Sequence, residues 1–209
     1  MVDKDKIRMD LKRYFAYHGE VDIDDQGVVS CTGSVELTAR MSKLPVQFAV
    51  VDQDFKANHK GLKSLMGAPH TVGGAFSCWA NPLTTLQGGP RTVKQEMWAR
   101  DCKLSNLLGA PSCAELFVQH NPLTSLEGMP EHVTKLGVTY DPHLPLLRSL
   151  LAQHVILYND AKGSLDDDLI RQALTCQHIL NDHAGAGKKL AIVCAAKLVK
   201  AGCKGNAQW

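Results

Sequence analysis

Asn81-Pro82-Leu83-Thr84-Thr85-Leu86-Gln87-Gly88-Gly89-Pro90 recurs as Asn121-Pro122-Leu123-Thr124-Ser125-Leu126-Glu127-Gly128-Met129-Pro130. A weaker copy, Cys102-Lys103-Leu104-Ser105-Asn106-Leu107-Leu108-Gly109-Ala110-Pro111, lies between them. Another, Lys60-Gly61-Leu62-Lys63-Ser64-Leu65-Met66-Gly67-Ala68-Pro69, lies before them. The first leucines of the four copies, Leu62, Leu83, Leu104 and Leu123, are 21, 21 and 19 residues apart. A period near 20 residues is the mark of a stacked solenoid, and it constrains the fold more than any other feature of the chain. One such unit cannot bury its own apolar face, so several must stack.

Upstream of each phrase runs a short segment of alternating polarity. Together they share the pattern apolar-x-apolar-x-x-Asn/Cys-x-Leu-x-x-Leu, the core pattern of a leucine-rich repeat. Phe76-Ser77-Cys78 leading to Asn81 and Leu83 fits at every fixed position, as does Leu116-Phe117-Val118 leading to Asn121 and Leu123. Met97-Trp98-Ala99 leads to Cys102 in the Asn slot, and Phe55-Lys56-Ala57 fits except for Lys60. Weaker copies flank these, Val35-Glu36-Leu37 before and Leu136-Gly137-Val138 with Asp141 after. The strand starts Val35, Phe55, Phe76, Met97, Leu116 and Leu136 are 20, 21, 21, 19 and 20 residues apart.

Alternate residues of a strand point the same way, so the two apolar positions of each unit face the core. The Asn side chain both donates and accepts, which suits it to backbone groups where the chain leaves the strand. The Leu-x-x-Leu pair fills the rest of the core, and Gly-x-Pro opens the turn to the next unit. The expected fold is therefore an α/β solenoid, a leucine-rich-repeat array of about six short parallel strands.

Leu44-Pro45-Val46 followed by the NPLTTLQGGP and NPLTSLEGMP phrases resembles the short, divergent leucine-rich-repeat proteins of bacteriophages and bacteria. The resemblance covers roughly residues 28–147. It implies a phage or bacterial origin and a binding role without naming a partner.

Flanking segments complete the expected domain plan: 1–33 as an N-terminal helix and hairpin cap, 34–141 as the solenoid, and 142–209 as a C-terminal helical block. Residues 3–18 read as an amphipathic helix, with Ile7, Leu11, Tyr14 and Phe15 on one face and Gly19 as the stop. Val21-Asp22-Ile23, a turn at Asp25-Gln26-Gly27, and Val28-Val29-Ser30-Cys31 read as a hairpin. The open end of a solenoid needs such a cover. After Asp141, the run from Leu150 to Leu157 reads as helical. A second helix is expected from Ser164, with Asp166, Asp167 and Asp168 at its dipole-favoured start, and a third from Lys188 to about Ala201. The apolar stripe of the third is Leu190, Val193, Cys194, Leu198 and Val199.

Composition narrows the function classes. A net charge of +2 carries no expectation of nucleic acid or membrane as a partner. No apolar run is long enough to span a bilayer, and the polar N-terminus is no signal peptide, so the expected location is cytoplasmic. The seven cysteines are odd in number and form no Cys-x-x-Cys pair. Cys78 at an inward position and Cys102 in the Asn slot have structural work as thiols, so neither a disulfide framework nor a zinc site is expected. No nucleotide, metal or nucleophile motif stands out, and the chain is read as non-enzymatic, without a cofactor. Cys176, His178 and His183 do not share one helix face, and the five lysines Lys188, Lys189, Lys197, Lys200 and Lys204 read as a solvated face.

The repeat register points to the binding surface. If Phe76 and Cys78 face inward, three outward columns follow. The first is Glu36, Lys56, Ser77, Trp98, Phe117 and Gly137; the second is Thr38, Asn58, Trp79, Arg100, Gln119 and Thr139; the third is Ala39, His59, Ala80, Asp101, His120 and Tyr140. Two of the three tryptophans fall on this face. The expected partner-binding set is Trp79, Trp98, Arg100, Phe117, Tyr140, His59, His120, Lys56 and Gln119, because exposed aromatic and Arg clusters mark interaction sites. His59 and His120 share a column but sit three repeats apart, too far for joint chemistry. The expected partner is a host protein. The alternatives are a virion or self-associating role, in which the aromatic strip pairs two copies, and an enzyme whose activity lies in the C-terminal helices.

Overall fold

Each repeat lays its inward residues one above the next at strand spacing, and the result is a parallel-strand β-solenoid of seven rungs. The computed structural model describes residues 2–159 and 167–209. After α1 (Lys4–Tyr14) come β1 (Phe15–Tyr17), β2 (Val21–Ile23) and β3 (Val28–Cys31). The rungs are β4 (Val35–Leu37), β6 (Phe55–Lys56), β8 (Phe76–Ser77), the end of β9 (Thr92–Trp98), the end of β10 (Ser112–Phe117), β11 (Lys135–Thr139) and β12 (His154–Tyr158). Register is in step throughout: Val35, Phe55, Phe76, Met97, Leu116, Leu136 and Val155 pair in one line, all buried. Leu37, Ala57, Cys78, Ala99, Val118, Val138 and Leu157 form the second buried line, and Leu62, Leu83, Leu104 and Leu123 a third. In the early rungs the core is aromatic: Phe15 meets Phe48 edge-on at 5.3 Å, Phe48 meets Phe55 at 5.4 Å, and Phe55 stacks on Phe76 at 5.4 Å.

Among the described residues the turns between the first six rungs hold no helix and the last carries a 3-10 turn (Leu147–Leu151); the α-helices precede the first rung or follow the last. The early part of the chain instead carries a second set of strands, which for β7, β9 and β10 follows the Gly-x-Pro step. These are β3, β5 (Gln47–Val51), β7 (Thr71–Val72) and the beginnings of β9 and β10. The inward residues Cys31, Val51, Val72, Val93 and Cys113 line up and are buried. The β-branched residues at most of these positions suit a strand better than a helix. Turn space is also tight. Gly67, Gly88, Gly109 and Gly128 all have positive φ, and a Cβ on Gly109 would lie 2.4 Å from the Gln87 amide nitrogen.

The Asn slot is the hydrogen-bonding hub of the turn. Asn81 is 2% exposed, and its Oδ1 accepts from the amides of Lys60 and Leu62, each at 3.0 Å. Its Nδ2 donates to the carbonyls of Ala57 (2.8 Å) and Cys78 (2.7 Å). One side chain thereby satisfies backbone groups of two adjacent turns. Asn121 repeats this, accepting from Leu104 and donating to Ala99 and Val118. Cys102 donates weakly to Arg100 and Cys78 carbonyls at 3.4 and 3.6 Å.

At the N-terminal end, α1 stops at Tyr14 rather than continuing to residue 18. Phe15 takes extended backbone geometry, and β1 pairs antiparallel with β4, Phe15 opposite Leu37. Burial of the Phe15 ring and the β4 partner outweigh the helical periodicity that runs through this residue. β2 and β3 form an antiparallel pair beside β5.

The C-terminal region differs more. The helix expected across residues 150–157 is absent: Leu147–Leu151 is a 3-10 turn and His154–Tyr158 is the seventh rung, parallel to β11. Helix α2 (Asp167–Asn181) lies against β12. Its Asn181 Oδ1 accepts from Val155 N at 2.7 Å and its Nδ2 donates to Val155 O at 2.9 Å. Gln177 Oε1 accepts from Leu157 N at 2.7 Å. An unprotected strand edge invites pairing with another chain, and these amides remove that liability. The expected helix start at Ser164 and Asp166 lies outside the described residues. A 3-10 turn (Gly187–Leu190) leads into α3 (Ala191–Lys200). Of the stripe expected there, Cys194 and Leu198 are buried, whereas Leu190, Val193 and Val199 remain exposed.

All seven cysteines are free thiols and buried. Burial pushes the Cys194 thiol up to about 11 and the Cys113 thiol to about 12. An unfolded thiol titrates near 8.5, so above that pH the unfolded state releases protons the folded state keeps, and stability falls. Urea midpoints measured from pH 7 to 10 should therefore decline above about pH 8.5. For the Asn slot, Asn81→Ala should cost about 3 kcal/mol, since it strands four buried backbone groups, and Asn81→Cys should fall between Ala and wild type. Urea titration of the three proteins checks the order.

Candidate binding face

On the outward side of the rungs, position decides what each side chain meets. Lys56 and His59 are exposed, and Trp79, Trp98, Arg100 and His120 are half-buried on the strand face. Trp79 is held on two sides. The His59 ring stands edge-on to it at 4.0 Å, and the Arg100 guanidinium carbon lies over its ring at 4.5 Å. A guanidinium over an indole face gains from the ring quadrupole and fixes both groups. Asp101 sits 3.9 Å from Arg100 Nε, a long contact that leaves the cation only partly neutralised. One step across the face, Trp98 stacks on Phe117 with centroids 4.2 Å apart and planes 16° from parallel.

Three residues of the expected set do not belong to an exposed strip. Phe117 is 5% exposed, Gln119 is 6% and Tyr140 is 5%. Phe117 sinks because Gly137 beside it has no side chain: a Cβ there would lie 2.7 Å from Phe117 Cδ1 and 3.0 Å from Tyr158 Cε2. The rings of Phe117 and Tyr158 thus border the same gap over the glycine. Tyr140 is inward for a different reason. His59, Ala80, Asp101 and His120 occupy its repeat position with φ of 54–57°, a left-handed backbone that Tyr140 lacks. The Tyr140 ring joins the core, and its hydroxyl donates to Asn206 Oδ1 at 3.3 Å. Burial raises its pKa, with the nearby Cys203 and Cys176 adding to the effect. Asn206 is itself fully buried and donates to the carbonyls of Asp141 and Leu144. It closes the last turn from a distant part of the chain, as Asn81 closes its own.

Tyr158 and Asn206 are the residues that sequence reasoning missed. For Tyr158 a signal existed, since Val155 follows Leu136 by 19 residues, within the repeat spacing. For Asn206 none did, because its partners are more than 60 residues away.

Among polar members of the face, Ser77 Oγ donates to Asn58 Oδ1 at 2.7 Å and the His120 amide donates to Thr139 Oγ1 at 2.7 Å. The Lys135 ammonium bridges both Glu115 oxygens at 3.0 and 3.1 Å. These bonds lock the rows around the aromatics. Gln119 Oε1, by contrast, is buried and finds no hydrogen-bond partner among the described residues. His59 and His120 are not brought together.

Of the remaining candidates, Cys176 and His183 are buried while His178 is exposed toward Asp182 at 3.9 Å. His183 Nδ1 is bonded to the Ile179 carbonyl at 2.7 Å. Burial raises the Cys176 thiol, the opposite of what activates a nucleophile. Among the described residues, no group of three His, Cys, Asp or Glu side chains is placed to hold a metal, and no helix is long and apolar enough to cross a membrane.

Compared with protein-family models, curated proteins and solved structures, the chain matches none.

The stacked pair supplies a direct test of the face's rigidity. A double-mutant cycle on Trp98→Ala and Phe117→Ala should give a coupling of about 1 kcal/mol in stability, as expected for two packed rings. Chemical denaturation of the four proteins reads it.

Proposed function

We propose that the chain is a non-enzymatic binding protein of the leucine-rich-repeat type. Its helix and hairpin cover one end of the array and its C-terminal helices the other. It engages another protein through the strand face. The observation that carries this is a pair of packed contacts between neighbouring rungs of one sheet, half-buried Trp79 under Arg100 and half-buried Trp98 on Phe117. Trp and Arg are the commonest interface hot spots, and groups already ordered lose little entropy on binding. Lys56, His59 and His120 border the patch and supply its polar rim.

The resemblance of the NPLTTLQGGP and NPLTSLEGMP phrases to phage repeat proteins supports a phage-encoded protein acting in the host cytoplasm. Its target is then a host protein, and blocking a defence or regulatory complex is the use this reading favours.

Affinity capture from bacterial host lysate with wild type and Trp79→Ala/Trp98→Ala, followed by mass spectrometry and titration of any partner, tests the proposal. A stoichiometric partner is expected for wild type, with the double variant weakened about a hundredfold, two hot-spot losses of over 1 kcal/mol each. Circular dichroism should show that the variant keeps its fold. Equal capture by both proteins overturns the strand face as the site.

A further inference from the structure

The end of the chain concentrates a property that the whole conceals. Residues 183–209 contain five lysines and no Asp or Glu, while the full chain is only +2, so the rest of the molecule is net acidic. In the same stretch lie four large apolar side chains left in solvent: Leu190 (41% exposed), Ile192 (86%), Val193 (48%) and Val199 (51%). Ile192, Ala196 and Val199 follow at spacings of four and three, which puts them on one face of α3. Val193, Lys197 and Lys200 form the adjoining row at the same spacings. The opposite face, Cys194 and Leu198, is buried in the protein. The helix is therefore anchored from within and presents an outward surface of apolar tips bordered by ammonium groups.

We propose that this outer face of α3 docks on an anionic lipid bilayer. A bilayer interface is the surface that accepts both components at once: the apolar tips enter the acyl boundary while the flexible lysine stems lift their charges to the headgroups. The complementary charge is supplied by acidic lipids, which attract each nearby lysine by about 1 kcal/mol. Pairing of two copies through this face is opposed by bringing Lys197 and Lys200 against themselves. Nucleic acid offers no matching site for Ile192, whose side chain is almost wholly free. The apolar tips protrude instead of lining a groove, which suits a fluid surface more than a shaped protein pocket. The membrane is not crossed, and the strand face stays free for a partner.

The test is sedimentation of the full chain with vesicles of phosphatidylcholine alone or with about one-third phosphatidylglycerol. Binding is expected only to the anionic vesicles, and high salt should reduce it. Two variants separate the components: Ile192→Ser/Val199→Ser and Lys197→Glu/Lys200→Glu. Each should lower the vesicle-bound fraction at least about tenfold, as two lost insertions or two reversed charges require. All four positions are exposed, so both variants should melt with wild type. No binding to anionic vesicles overturns the proposal, as does binding that survives in both variants. Retention on immobilised poly-glutamate without vesicle binding also overturns it, and assigns the face to an acidic protein.

Discussion

Every turn of this chain leaves an unfinished apolar edge that only the next turn can close. That stacking constraint organises the molecule. It demands that each inward position recur in register, and the lines from Val35 to Val155 and from Leu37 to Leu157 do so. It also demands that the backbone polar groups between turns be satisfied where strand pairing stops. Asn81 and Asn121 meet this by bonding to two turns at once, so each fastens the stack as well as its own corner.

A stack has two ends, and the structure treats them differently. At the first, β1 reverses direction and pairs antiparallel with β4, while Leu11 of α1 is buried in the core. At the last, α2 offers side-chain amides in place of another strand, with Asn181 and Gln177 serving Val155 and Leu157. Asn206 completes the final turn from the segment after α3. Helix α2 is thereby tied to the last rung, and α3 packs on α2 and the two 3-10 turns, which leaves its outer face as a surface.

The candidate binding face inherits its geometry from the same register. Trp79 meets Arg100, and Trp98 meets Phe117, because their rungs are neighbours, and the indole–guanidinium and ring–ring contacts follow at strand spacing. Gly137 shows how a single position reshapes such a face. By leaving a gap, it makes room for the Phe117 ring, and the Tyr158 ring borders the same gap.

The period, the inward columns, the role of the Asn slot and the placing of Trp79, Trp98, Arg100, His59 and Lys56 outside the core follow from the sequence alone. They are local or nearest-neighbour properties, repeated often enough that the spacing cannot be mistaken. Only the tertiary structure decides the rest. Phe15–Tyr17 and His154–Tyr158 become strands because a partner strand is present, not because of their own preference. Tyr140, Phe117 and Gln119 are buried because of a backbone torsion, an absent Cβ and neighbours on other turns, none of which a column count can see. The exposed apolar row of α3 is likewise settled by which helix face the solenoid end covers. Periodicity assigns a side chain to a side of its own element; what lies over that side is a long-range fact, set when distant parts of the chain meet.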